Sequence, residues 1–527
     1  MGFVITMATV TQIMTSNIME IPVFVMKSLT WNNVIFWYLP TLATATIMYT
    51  LYKWLIWPRI SPLSKIPSTR YNPFLGDVLE LRNSETMDFA IRLHKRLGPV
   101  ARYFFFLGNG VVSISGPEEM KHILVTNSKN YDRSALTRKT LAQLMGNGLL
   151  SSTGVEHAAQ RRLINPAFNH SSITGMLESF YKYGKELRRY WNEEIDSKSM
   201  NEDYLKVQVQ QDLGRCTLDI IGECAFGYHF NAIWEPEKKL TKTFGAILAG
   251  SLTGSSWKNL IPFLRRLPSE ENRILKEAIN LVKQTVLDVI AKRRQEIDEG
   301  VEQPHDLLYL LMMAKDEETG QGLSDQELQD QVITFMFAGQ ETTSTGLTWT
   351  LHCLAHHPEI QDKVRNEILS VLPSADDIIT WEHLEKMHFL KAVVNESLRL
   401  FPPVPLVPKQ SENDDMIGQY YIPGGTFLLL QIGAMHRCAD VWPDPLTFNP
   451  DRFMDSDSPP KAYSFLPFSL GRRNCIGNKF AVMNMRVMLT QILRNLKFSP
   501  VPDFKFTRTL RITMRPSPAM QLRISKV

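Results

Sequence analysis

The sequence predicts a mainly α protein carrying small β-sheets, and three observations lead there. Apolar residues recur at helical spacing over long stretches, at Ser172–Ile195, Leu213–Phe226, Glu270–Glu299 and Glu327–Ala355. Strand-like runs are few and short. No segment repeats at a fixed period and no low-complexity tract appears, so the elements belong to one large fold.

Taken in order, Tyr103–Leu107 and Val111–Ser115 flank Gly108-Asn109-Gly110, an Asn-Gly hairpin signal between two β-prone runs. Gly116-Pro117 ends that hairpin, and Glu118–Leu124 reads as helical. Late strands are expected at Tyr420–Ile422, Thr426–Ile432 and Leu510–Met514. The longest helix opens on Ser324-Asp325-Gln326-Glu327, a capping box, and runs without proline to His357-Pro358. That is about 32 residues, or ~48 Å at ~1.5 Å per residue. Its centre reads Ala338-Gly339-Gln340-Glu341-Thr342-Thr343. The small pair Ala338 and Gly339 admits a flat ligand against the backbone. Thr342 can bond the Ala338 carbonyl, which loosens the helix and opens a groove for water.

The N-terminus follows different rules. Residues 1–27 form an N-terminal leader, uncharged through Met19, and 28–57 read as a signal-anchor helix. No charge falls between Ser28 and Tyr52, a length about sufficient to cross a ~30 Å hydrocarbon layer. Tyr52, Trp54 and Trp57 suit one interface, and Lys53, Arg59, Lys65 and Arg70 follow. The expected topology is single-pass in the endoplasmic reticulum membrane, with everything after residue 58 in the cytosol. Pro58, Pro62, Pro67 and Pro73 make 58–73 a stiff, non-helical hinge, and 74–527 one large domain.

Composition excludes several classes. Lys+Arg number 58 against 54 Asp+Glu, and the resulting +4 is too slight and dispersed for a nucleic-acid partner. The five cysteines are scattered without a CxxC pair, which fits a reducing compartment. His352 and His356 are four apart, but no glutamate follows His352, so a zinc-protease helix is absent. Asn169-His170-Ser171 and Asn395-Glu396-Ser397 match a glycosylation pattern that a cytosolic domain would not expose to the transferase.

Chemistry concentrates in Phe468-Ser469-Leu470-Gly471-Arg472-Arg473-Asn474-Cys475-Ile476-Gly477. Glycines let the backbone approach a flat cofactor, and the helix entrance after Gly477 places amide N–H groups and a positive dipole end near one sulfur. Those features favour a thiolate. The spacing Phe-x-x-Gly-x-Arg-x-Cys-x-Gly resembles the haem-binding signature of the cytochrome P450 superfamily of monooxygenases.

The resemblance implies a triangular helical cytochrome P450 fold, haem b as cofactor, and Cys475 as the axial ligand of its iron. Phe468, Gly471 and Gly477 shape the loop, and Arg473 answers a haem propionate. The hexapeptide at 338–343 resembles the superfamily's oxygen-activation motif, with Glu341 as acid and Thr342 as the hydroxyl that relays protons. Gly154-Val155-Glu156-His157-Ala158-Ala159-Gln160-Arg161 resembles a helix that in many members carries tryptophan where His157 stands. His157 and Arg161, four apart on one face, are expected at a propionate, and Lys409 at the other. Glu396-Ser397-Leu398-Arg399, with Arg452 from Phe448–Phe453, resembles the family's structural charge cluster. The histidine at 157 resembles a fungal variant.

The expected activity is insertion of one oxygen atom of dioxygen into a lipophilic terpenoid, sterol or fatty-acyl compound, in specialised metabolism. Pocket residues are expected from the loop Leu136–Leu149, Phe335–Phe337, Val404–Val407 and Leu510–Thr513. No flavin or nicotinamide motif is present, so NADPH acts through a flavoprotein reductase docking near Arg162, Arg472 and Lys479. Two alternatives are a haem-thiolate isomerase or dehydratase, against which Glu341-Thr342 argues, and a non-catalytic membrane haem protein.

Overall fold

In the computed structural model, residues 38–197, 204–250, 270–304, 306–315, 320–374, 377–455 and 459–527 are described. The organising element is the central helix Asp325–His356, 32 residues long. Its start is set by the reciprocal cap: Ser324 Oγ accepts from the Glu327 amide, and the Glu327 carboxylate accepts from the Ser324 amide at 2.9 Å. Pro358, which opens the next helix, marks its end. Between Leu328 and Leu351 every residue is buried except Ala338, Gly339 and Thr342. The α-helical pattern is unbroken there, so the expected local loosening does not occur.

That burial comes from helices crossing on several sides. Val209–Phe226 crosses at Gly339, where a Cβ would stand 2.8 Å from Ile221 Cδ1. The crossing is pinned by Gln340 Nε2 donating to the Gly214 carbonyl and Thr217 Oγ1 donating to the Gln340 carbonyl, at 3.1 and 3.2 Å. Glu270–Asp298 and His388–Leu400 pack on the central helix too. Leu177–Ser197 lies on Asn478–Leu493, close at Gly184. The expected Ser172–Ile195 helix is two pieces, His170–Gly175 and Leu177–Ser197, restarting at Met176. Leu136–Leu149, expected as a loop, is largely helical over Ala135–Met145.

The largest sheet has order β1-β2-β8-β5-β3. Its strands are β1 (Val100–Phe104), β2 (Gly110–Ile114), β3 (Tyr131–Asp132), β5 (Val407–Ser411) and β8 (Phe427–Leu430). The first strand of the hairpin starts at Val100 rather than Tyr103 and the second at Gly110 rather than Val111, with a 3₁₀ turn at Phe106–Gly108 between them. β4 (Leu205–Val207), β12 (Leu522–Lys526) and β9 (Leu496–Pro500) form a second sheet, and β6 (Asp415–Ile417) pairs with β7 (Tyr420–Ile422). Leu510–Met514, expected as one strand, is the turn joining β10 (Thr507–Leu510) to β11 (Met514–Ser517). Apolar spacing in that stretch serves the helix face beneath it rather than a strand face.

The N-terminal helix Leu39–Leu51 has 13 residues, all exposed, and continues through a π-helical turn at Tyr52–Ile56. Among the described residues no helix is long and apolar enough to cross a membrane. Positions 28–37 of the expected anchor lie outside the described residues. The proline-rich stretch differs from a free, non-helical hinge. It contains helical turns at Trp57–Ile60 and Pro62–Lys65, and it is sewn to β1. Arg102 Nη1 donates to the Pro58 carbonyl at 3.0 Å, the Arg102 amide to the Pro67 carbonyl at 2.8 Å, and the Thr69 amide to the Arg102 carbonyl at 3.0 Å. The prolines have no amide to donate, so the segment is joined to β1 through the Pro58 and Pro67 carbonyls and the Thr69 amide.

Candidate active site

The cysteine loop is shaped by two left-handed residues. Ser469 has φ +58° and Gly471 φ +71°. A Cβ at Gly471 would lie 1.8 Å from the Leu124 carbonyl oxygen, so only glycine fits. The loop closes with the Cys475 amide donating to the Phe468 carbonyl at 2.9 Å. Gly477 caps the Asn478–Leu493 helix at an ordinary φ of −88°, and a Cβ there would make only an ordinary contact, 3.9 Å from Phe168 Cε1. The two glycines therefore do different work. Gly471→Ala should lose well over ~1 kcal/mol, from left-handed strain alone, whether or not cofactor is bound. Gly477→Ala should leave fold stability within about 1 kcal/mol. Thermal unfolding beside haem content separates the two outcomes.

Cys475 presents an accessible surface while protein crowds its other sides. Burial pushes its thiol up, and the Gly477 amide and the Arg161 guanidinium pull it down. The balance corrects the expectation that the loop alone yields a thiolate; a metal must complete it. Arg161 also departs from its expected place at a propionate. Its Nη1 and Nη2 donate to the carbonyl and side-chain oxygen of Asn474 at 2.8 Å each, and its Nε to Asn165 at 2.8 Å. Arg161 clamps the loop and lends it charge.

A buried cationic pocket lies nearby. The register Asp132↔Gln410 between β3 and β5 brings Asp132 and Arg133 beside Lys409. Arg473 Nη2 donates to both Asp132 oxygens at 2.7 and 2.9 Å and to the Ser152 carbonyl at 2.8 Å. Burial raises the Asp132 carboxyl, but Arg473 and the amides of Arg133 and Gly154 more than offset it. Arg473 Nε, Arg473 Nη1 and Arg133 Nε are buried without a hydrogen-bond partner. Lys409 is pushed down to about 8 by burial and by Arg133, and Arg133 to about 10 by burial and Arg473. Three cations face one carboxylate, and orphaned donors point to a missing anionic partner. The haem propionates fit that demand.

His157 is buried beside this group, its imidazole lowered to about 3 by desolvation and Arg473. It is therefore neutral, able to donate one hydrogen bond but not to add charge. Arg133 and Asp132 were not among the expected residues. Only the β3–β5 pairing, across nearly 280 positions of sequence, reveals them.

On the central helix, Thr342 Oγ1 donates to the Ala338 carbonyl at 2.8 Å, so Thr342 and Ala338 form the open patch noted above. That patch is the second feature that fits a flat cofactor. Gly339, by contrast, answers the contact with Ile221. Glu341, one residue or about 100° around the helix, points elsewhere. It accepts from Thr513 Oγ1 at 2.5 Å and is paired with Arg515. Phe335 and Phe337 pack against Phe168 and Phe244 inside the core instead of lining an open pocket.

Glu396 and Arg399 are fully buried. Arg399 Nε and Nη2 donate to the two Glu396 oxygens at 2.7 and 2.8 Å, a bidentate pair at i, i+3. Arg399 also reaches the His436 and Pro445 carbonyls at 2.7 and 2.8 Å, while Arg452 Nε stands 3.4 Å from Glu396. His436, which sequence reading passed over, joins this cluster to the cysteine loop. Its Nδ1 faces the Arg399 carbonyl at 3.1 Å, and its Nε2 accepts from the Leu466 amide at 2.9 Å. The tautomer is thus fixed, and burial keeps the ring neutral.

A family model described as Cytochrome P450 matches residues 66–523. Cytochrome P450 4c21 of Blattella germanica is 30% identical over 467 residues, covering 84% of this chain and 90% of that protein. A cytokinin hydroxylase of Arabidopsis thaliana is 30% identical over 425 residues, with 79% and 80% covered. Cytochrome P450 monooxygenase sphH of Aspergillus fumigatus is 27% identical over 425 residues, with 76% of each chain covered.

Proposed function

This chain belongs to the cytochrome P450 family of monooxygenases, and on that premise we propose that it oxygenates a lipophilic terpenoid, sterol or fatty-acyl compound in specialised metabolism. Electrons come from NADPH through a flavoprotein reductase. The observation that carries the reading is Thr342 on the one patch between Leu328 and Leu351 of the central helix that is not buried, beside an acidic residue.

Haem held on Cys475 supplies the iron at which dioxygen is activated. The chain supplies binding, exclusion of water and protons. Arg473, Arg133 and Lys409 bind the propionates, and neutral His157 offers one further donor. Thr342 donates its hydroxyl hydrogen bond to the Ala338 carbonyl, which leaves its oxygen lone pairs free to accept. In that state it accepts a hydrogen bond from the site and orders the proton donor there. Glu341, the neighbouring acid, takes up a proton and passes it toward the site.

Exposed Arg162 and Arg472 line a depression of about 670 Å³ at the cysteine loop, bounded by Ala158, Pro166 and Asn474, and Lys479 is exposed on the helix that follows the loop. A basic face there suits an acidic reductase surface. The exposed apolar residues Leu39, Leu42, Ile47 and Met48 support membrane association of the N-terminal helix, with the domain facing the cytosol.

Thr342→Ala tests the reading. The variant should keep haem, bind substrate and consume NADPH through the reductase. Product per NADPH should fall by up to about 100-fold, the low end of what a positioned proton donor contributes, with hydrogen peroxide rising in its place. An isomerase would need no NADPH in either form. Unchanged coupling would remove Thr342 from the relay.

A further inference from the structure

The turn between β10 and β11 is attached to one line of the central helix, at residues 341, 345 and 349. These positions are spaced by four and lie one above another on a single face. Thr513 Oγ1 reaches Glu341 at 2.5 Å and Thr345 Oγ1 at 3.1 Å, and Trp349 Nε1 donates to the Met514 carbonyl at 2.8 Å. Arg515, next on β11, pairs with Glu341 through Nε and Nη2. Thr513 is fully buried, and Glu341 is 2% exposed at its side chain against 19% for Arg515. The carboxylate is thus held inside the protein by an arginine whose side chain is partly exposed.

Every polar neighbour described around Glu341 is a donor, which suits an acceptor-only, ionised carboxylate. Its seat lies on the hairpin face, about 100° from the face on which Thr342 opens. A buried carboxylate without a cation takes up a proton and loses its charge. One that is ionised at rest can accept a proton from solvent and pass it inward.

We propose that Arg515 is a positioning residue for proton supply: it keeps Glu341 ionised and seated on the β10–β11 hairpin, so that the hairpin governs the acid beside Thr342. This deepens the monooxygenase reading and rests on it for its catalytic consequence. Its physical content, the charge state of Glu341, does not.

The test is infrared difference spectroscopy on the resting, haem-loaded protein, supported by coupling measurements. Wild type minus Glu341→Gln should show ionised carboxylate bands and no protonated carboxyl band. Arg515→Gln should gain a protonated carboxyl band that disappears in Arg515→Gln/Glu341→Gln, whereas Arg515→Lys should not gain it. In turnover, product per NADPH should fall about tenfold in Arg515→Gln and recover in Arg515→Lys, below the ~10²–10⁴-fold worth of the donor itself. A protonated Glu341 in the wild type overturns the proposal. So does an Arg515→Gln protein in which Glu341 stays ionised, or one with normal coupling. Should Arg515→Gln fail to load haem, the wild-type spectrum and Arg515→Lys still decide, because a lysine variant with a protonated Glu341 and wild-type coupling also overturns it. Failure of the wild type to consume NADPH would instead sink the monooxygenase reading and leave the infrared result standing.

Discussion

Cys475→Ser will abolish the strongly red-shifted Soret band of the reduced carbon monoxide complex. The exchange changes one atom, and the loop does not depend on that atom for its shape. Its closing bond is made by the Cys475 backbone amide, and its clamp by Arg161 on Asn474. Loss of the band therefore reports the ligand and not collapse of the loop. Three of the four other cysteines are unsuited to take over, and the fourth, Cys438, is half-buried. Cys216, Cys224 and Cys353 are buried, and burial pushes each thiol up, Cys353 to about 12. They stay protonated and enclosed, so a serine variant that keeps the band would place the ligand at a site for which these residues offer no candidate.

Glu396→Ala should strongly destabilise the protein and yield little haem-loaded material. Removing one partner of a buried ion pair typically costs about 3–5 kcal/mol. Whole-domain stability is only about 5–15 kcal/mol. Here the variant leaves Arg399 fully buried, over the Trp442 ring and among the His436, Pro445 and Thr447 carbonyls, with Arg452 left as a second unmatched cation. The Asn449 amide also loses its acceptor, the Glu396 carboxylate at 2.9 Å. Glu396→Gln keeps an acceptor and should lose less. Denaturant midpoints for the two variants, read beside haem content, give the ordering. Haem loading should fall with stability, because His436 hands the cluster's position on to Leu466 at the mouth of the cysteine loop. An alanine variant with unchanged midpoint and full haem would show that the pair carries no structural weight.

What the sequence made legible was whatever spacing along one element decides. The Ser324 capping box, the i, i+3 pair of Glu396 and Arg399, and the bond from Thr342 to Ala338 follow from helical geometry, and each stands where that geometry puts it. Gly471 was legible as a glycine that the turn requires, though the atom it avoids, the Leu124 carbonyl oxygen, was not. Partners drawn from distant strands stayed hidden. Arg515 meets Glu341, and Asp132 meets Arg473, because sheet register and hairpin docking bring them together, and no local pattern encodes either meeting. Arg161 was placed on the right helix but with the wrong neighbour, since a guanidinium at the end of a long side chain serves whichever acceptor the next loop presents. The turn at 510–514 was read as a strand because it carries the same apolar residues as a strand would.

The stitching of residues 58–69 onto β1 has a mechanical consequence. A chain joined by a slack tether can tumble about its attachment point, and its orientation averages out. Here Arg102 takes the Pro58 carbonyl with its side chain and the Pro67 and Thr69 groups with its backbone, so the segment behaves as a bracket. Any torque applied at Trp57 passes directly into the first strand, and from there across β2 to β8 and β5, which carries Lys409. Whatever surface holds the N-terminal helix therefore sets the tilt of the whole sheet, and with it the direction from which a solute approaches the cationic pocket.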